Sequence, residues 1–182
     1  MPTSSPEPAA APIVVGVSLC LLGERVRYDG GHKLDRTITD CLGRFFRFVP
    51  VCPETGCGMP TPREAMRLEG DPDAPRLVTH RSRIDLTDQM LAWCRMKVRE
   101  LEGQDLCGFI LKKGSPSCGL FRVDIYGDDG EARNGSGLFA AAVVEHFPLL
   151  PVEEEGHLND PFCREEFIEQ VFGYWRGRAN RK

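Results

Sequence analysis

Cys20, Cys52 and Cys118 occupy the same kind of place in the chain. Each stands at or just beyond the end of an apolar run, in IVVGVSLC (13–20), FRFVPVCP (46–53) and LCGFILKK (106–113) continued by GSPSCGL, and each leads into a loop carrying Gly or Pro. A cysteine that only filled space would fit better within such a run. In open α/β sheets the ligand crevice lies outside the carboxyl ends of the strands, so thiolates far apart in sequence can converge there. Thiolate sulfur is a soft ligand that suits zinc and iron–sulfur clusters alike. Three are too few to close a tetrahedral structural zinc site without a fourth ligand, and His32 and His80 are the histidines nearest these loops. Three do suit a [4Fe–4S] cluster with one iron left open for substrate. Ligand type alone leaves both metals in play.

The other five cysteines read differently. Free cysteine is among the most buried residue types, and Cys41, Cys94, Cys107 and Cys163 lie within predicted helices or strands, where packing explains them. Cys57 follows Cys52 at a spacing that could chelate, but the second pair of a structural zinc site and the further cysteine of a plant-type ferredoxin motif are both missing. It is expected beside the site rather than as a ligand.

The elements that must position these residues follow from periodicity. The runs at 13–20, 46–53 and 106–113 read as strands, with a shorter one at 76–80. Leu34, Ile38 and Leu42 predict a short helix over 34–45, and Met90, Cys94, Val98 and Leu101 predict a helix from the cap residue Asp85 to Gly103. ETGCGMPTPRE (54–64) reads as loop, FRVDIYGDDGEARN (121–134) as a hairpin, and 138–147 and 160–177 as helices, with LLPV as a last strand. Alternating strands and helices predict a single α/β domain with a mainly parallel central sheet flanked by helices, a Rossmann-like three-layer arrangement. The expected divisions are a disordered lead-in at 1–12, the domain at 13–150, and a linker with an amphipathic helix at 151–182.

Bulk properties narrow the function. The chain has 182 residues, a formal net charge of −4 and 41% hydrophobic residues, which suits one globular domain and gives no basic footprint for polynucleotides. No apolar run is long enough for a membrane helix, and MPTSSPEPAAAP has neither the basic nor the apolar part of a secretory signal. A cytoplasmic location is expected, where eight cysteines suit packing, metal or redox chemistry better than disulfides. Self-association is left open.

Five ordered motifs, Cys20-Leu-Leu-Gly, Arg27-Tyr-Asp-Gly-Gly-His-Lys, Val51-Cys-Pro-Glu, Thr61-Pro-Arg-Glu and Lys112-x-Gly-Ser-Pro-Ser-Cys-Gly, resemble those of the thiouracil desulfidase family over about residues 13 to 147. The stretch PLLPVEEEGHLNDPFCREEFIEQVFGYW resembles the junction at which longer members carry a second domain. The resemblance implies a [4Fe–4S] cluster held by Cys20, Cys52 and Cys118 with one open iron. It implies sulfide removal from thiolated uracil bases, nucleosides or nucleotides without net redox change. Glu54 matches the family's catalytic glutamate and Ser115 its serine. Arg27 or Lys33 would meet a substrate phosphate, Tyr28 would stack on the base, and Arg63 would bind substrate or pair with a neighbouring carboxylate.

Two other functions fit the same residues. One is desulfurisation of 4-thiouridine within transfer RNA, with Arg176, Arg178, Arg181 and Lys182 as the RNA contact. The other is a non-catalytic zinc or cluster-binding redox module.

Overall fold

The computed structural model describes residues 12–179; the expected lead-in, apart from Pro12, and the basic residues Arg181 and Lys182 lie outside them. Strands β1 (Ile13–Ser18), β2 (Phe46–Val51), β5 (Leu106–Leu111) and β8 (Val152–Glu154) form one sheet in the order β2-β1-β5-β8. All three pairings are parallel. Both central strands, IVVGVS and LCGFIL, are buried at every residue, as a parallel sheet covered on both faces requires. Pairing with β1 steps from Leu106 to Gly108, so Cys107 is an extra residue that shifts which side chains face which layer.

A second sheet was not expected. β3 (Met66–Glu69), β4 (Arg76–Thr79), β6 (Val123–Tyr126) and β7 (Ala132–Gly135) lie in the order β4-β3-β6-β7, with β3 parallel to β6 and the outer pairs antiparallel. The hairpin expected over 121–134 is the β6–β7 pair.

Helices α2 (Thr87–Glu102) and α3 (Leu138–His146) cover one face of the main sheet. Met90, Cys94, Val98, Leu101, Phe139 and Val143 pack there with Val14, Phe109 and Leu111. α5 (Pro161–Ala179) covers the other, where Phe167 and Val171 meet Val15, Val17 and Ile110. The approach is close. A Cβ on Gly108 would stand 2.8 Å from Val171, so the strand needs glycine under the helix.

Three local expectations are revised. The 34–45 helix is only a wide turn at Thr37–Cys41 and a 3₁₀ turn at Leu42–Arg44. Three successive β-branched residues, Thr37, Ile38 and Thr39, disfavour a regular helix. Asp85 receives the Thr87 amide at 2.9 Å, so it caps α2 from one residue further back than expected. The 151–159 segment is no linker: it supplies β8 and the helical turn α4 (Glu155–Leu158), with Glu154 and Glu155 both buried. Cys94 and Cys107 are buried as expected, whereas Cys41 is exposed and Cys163 half-buried.

Candidate active site

β1, β2 and β5 run parallel, so their carboxyl ends come out on the same side. The chain leaves β1 in a 3₁₀ turn carrying Cys20, leaves β2 into α1 (Pro53–Gly56) just after Cys52, and leaves β5 into the Gly114–Gly119 loop that carries Cys118. Pro53 at the first position of α1 is pre-set for a helix start, which explains why the expected loop opens with a helical turn. A cavity of about 330 Å³ lies over these strand ends. Cys20, Cys52, Cys118, Arg27, Tyr28, Lys33, Glu54 and Ser115 all line it.

Burial pushes the Cys20 thiol up to about 11, helped by nearby Cys52 and opposed by Lys112 and Arg27. Burial raises Cys118 further still, with Cys52 and Cys20 adding to it and a hydrogen bond from Ser18 opposing. Cys118 therefore senses both other ligand candidates, and Cys20 senses Cys52. Deprotonation is unfavourable there without a cation to balance it, which is how metal binding and thiolate formation become coupled.

Among the described residues no three His, Cys, Asp or Glu side chains close on a single ion. A cluster asks for something different, because each cysteine binds its own iron. Three soft donors on one cavity wall, from three separate loops, fit that group. Neither His32 nor His80 is on the wall. Cys57 is not on the wall either; its Sγ donates to the Glu54 carbonyl at 3.3 Å, and burial pushes its thiol up.

Glu54 is held from behind. Ser117 Oγ donates to Oε1 at 2.9 Å, and Arg63 pairs with Oε2. Arg63, considered as a substrate contact or an ion-pair partner, takes the second role: it is absent from the wall and its side chain is 5% exposed. Its amide donates to the Tyr28 carbonyl at 2.8 Å, which ties the Thr61–Glu64 loop to the Arg27–Lys33 turn. Arg63 Nε is buried without a hydrogen-bond partner. Ser115 Oγ accepts the amides of Ser117 (3.2 Å) and Cys118 (3.1 Å), forming the turn that presents the cysteine.

The Arg27 guanidinium lies 5.4 Å over the Tyr28 ring and 3.5 Å from Asp29. The Lys33 amide donates to the Cys20 carbonyl at 2.9 Å, folding that turn back over the cavity. Lys112 and Lys113, passed over as site residues in the sequence, also line the cavity. The signal was the basic pair at the end of β5, inside a motif already singled out. Ser117 was missed as well, two residues from Ser115.

Comparison with known proteins agrees with this geometry. Residues 15–155 match the family model for 2-thiouracil desulfurase. An uncharacterized Bacillus subtilis (strain 168) protein, YbbK, is 29% identical over 149 residues, which is 79% of this chain and 97% of that protein. The solved structure of the [4Fe-4S]-dependent thiouracil desulfidase TudS superposes with a TM-score of 0.65 at 32% identity, covering 81% of this chain and 93% of that one. With the match spanning the sheet, the three strand-end cysteines and the Glu54 loop, the chain belongs to the 2-thiouracil desulfurase family.

Proposed function

We propose that the protein is a [4Fe–4S]-dependent, non-redox desulfidase acting on thiolated uracil as the free base, nucleoside or monophosphate. The observation that carries this is the presence of Cys20, Cys52, Cys118 and Glu54 on the wall of one cavity in a member of this family. Its volume of about 330 Å³ is at the small-molecule end of binding sites. Among the described residues no helix is long and apolar enough to cross a membrane.

Cys20, Cys52 and Cys118 would hold the cluster. When bound it supplies a soft Lewis acid for the thiocarbonyl sulfur, which draws electron density from the C=S carbon. Glu54 takes the two protons of the attacking water in turn and passes each to the leaving sulfur. The carbon gains the water oxygen, hydrogen sulfide departs, and no electrons are exchanged. Ser115 Oγ, already accepting two amides, keeps its own hydrogen for an acceptor such as the pyrimidine carbonyl. Tyr28 offers a face for the ring, and Arg27 and Lys33 offer charge for a phosphate.

The test is anaerobic reconstitution followed by a substrate panel: thiouracils, 4-thiouridine, its monophosphate and thiolated transfer RNA. Sulfide release from the small compounds by protein containing iron and labile sulfide is the expected result. Zinc without iron or labile sulfide in anaerobically purified protein, or turnover of transfer RNA alone, would overturn it.

A further inference from the structure

Glu54 is the one carboxylate on the cavity wall among the described residues. A carboxylate's terminal torsion is broad and roughly two-fold. Arg63 anchors Oε2 and by itself leaves the group free to pivot about that contact. The second anchor is Ser117, whose side chain lies 63 residues away in sequence and is completely buried. A buried serine hydroxyl usually satisfies itself on nearby backbone. This one reaches across to the other loop.

Ser117 is itself fixed on three sides. Its amide donates to Ser115 Oγ at 3.2 Å. Its carbonyl accepts the amides of Phe139 (2.9 Å) and Ala140 (3.1 Å) in the first turn of α3. Gly137 lies so close that a Cβ there would stand 2.5 Å from the Ser117 carbonyl carbon. The hydroxyl is therefore aimed by a helix terminus rather than by a free loop.

Resting on the desulfidase reading, we propose that Ser117 is a positioning residue for Glu54. Together with Arg63 it sets the plane of the carboxylate, so that Glu54 meets the water and the departing sulfur in one orientation. Serine is suited to this because, once its backbone is held, a single side-chain torsion sets the Oγ position. Misplacing a reacting group by about 1 Å can cost on the order of 100-fold in rate.

The experiment uses anaerobically reconstituted protein and 4-thiouridine monophosphate, with 4-thiouracil as second substrate. Ser117→Ala should keep wild-type iron, labile sulfide and visible absorption, and hold KM within about two-fold, while kcat falls roughly 10- to 100-fold. In a Glu54→Ala background the same change should cost nothing further, because Ser117 acts only through Glu54. Crystals of Ser117→Ala should show the Glu54 carboxylate rotated or in two conformers. Full kcat in Ser117→Ala, loss of its cluster, or losses that multiply in the double variant would each overturn the assignment while the desulfidase reading stands. Wild-type protein inactive on the whole panel would remove that reading, and this one with it.

Discussion

Lys112 and Glu155 pair across the carboxyl end of the main sheet, with side chains 14% and 10% exposed. The second Glu155 oxygen accepts the Lys113 amide at 2.6 Å, and Lys112 Nζ also donates to the Lys113 carbonyl at 2.8 Å. On the far side of the same loop, Glu154 Oε1 accepts the amides of Leu120 (2.7 Å) and Phe121 (3.1 Å). Two adjacent carboxylates thus grip both ends of the segment that carries Ser115, Ser117 and Cys118.

Glu155→Gln should be strongly destabilising, because it leaves the Lys112 ammonium in the cavity wall without its counter-charge. Breaking a buried pair costs about 3–5 kcal/mol, which for a chain of this size lowers the thermal midpoint by on the order of 10 °C. Glu154→Gln retains an acceptor for both amides and should cost far less than Glu154→Ala. Thermal denaturation of the apo-protein measures all three.

Replacement of Cys20, Cys52 or Cys118 by Ala should each abolish iron and labile sulfide incorporation. Cys94→Ala and Cys57→Ala should not, since Cys94 is core and neither Cys94 nor Cys57 lines the cavity. Loss of the cluster in Cys57→Ala with retention in Cys118→Ala would replace one ligand by another.

Lys33 and Lys113 both line the cavity and are candidates for the phosphate contact. Exchanging either for Ala should raise KM for 4-thiouridine monophosphate roughly tenfold, as loss of a charge-assisted hydrogen bond predicts. KM for the free base should stay put. The effect should also shrink as salt screens the interaction.

Acid should weaken the second sheet through Glu69. Glu69 receives both terminal nitrogens of Arg83, at 2.5 and 2.6 Å, and Arg67 Nε at 2.6 Å. The Arg83 fork, with Arg67 beside it, holds its carboxyl down near 2, against about 4.3 for an unfolded chain. The unfolded state therefore takes up the proton first. The stabilisation is complete above about pH 4.5 and is lost as pH falls toward 2. Because Arg83 is half exposed, its size is on the order of 1–3 kcal/mol. Urea unfolding across that range should show a flatter acid limb for Glu69→Gln than for wild type.

The centre of the main sheet was legible because β1 and β5 are apolar at almost every position and lead into Gly-containing loops, and the cavity follows from where those runs stop. β3 was not, since MRLE alternates an apolar residue with a charged one over only four positions. Its Glu69 holds both Arg67 and the distant Arg83, a pairing that no local pattern indicates. The acidic residues 153–155 read as linker because composition cannot show that backbone amides from residues 113, 120 and 121 wait for two of those carboxylates. Ser115 and Ser117 are two residues apart, and only the folded turn decides which one meets Glu54. Arg63 could be placed near the site by its motif, but its burial behind Glu54 depends on how the Tyr28 turn folds over it.

The helix that closes the second face of the main sheet, α5, follows every strand and loop that it covers. Until Phe167 and Val171 are synthesised, Val15, Val17 and Ile110 have no α5 side chains to pack against. Arg178 then locks the helix by donating to the Leu106 carbonyl at 2.8 Å, 72 residues back. A ribosome-bound chain that already holds every cavity residue still shows an open apolar face, a stage at which aggregation competes with folding. Burial of that face therefore waits for the emergence of α5, well after the active-site loops have left the ribosome.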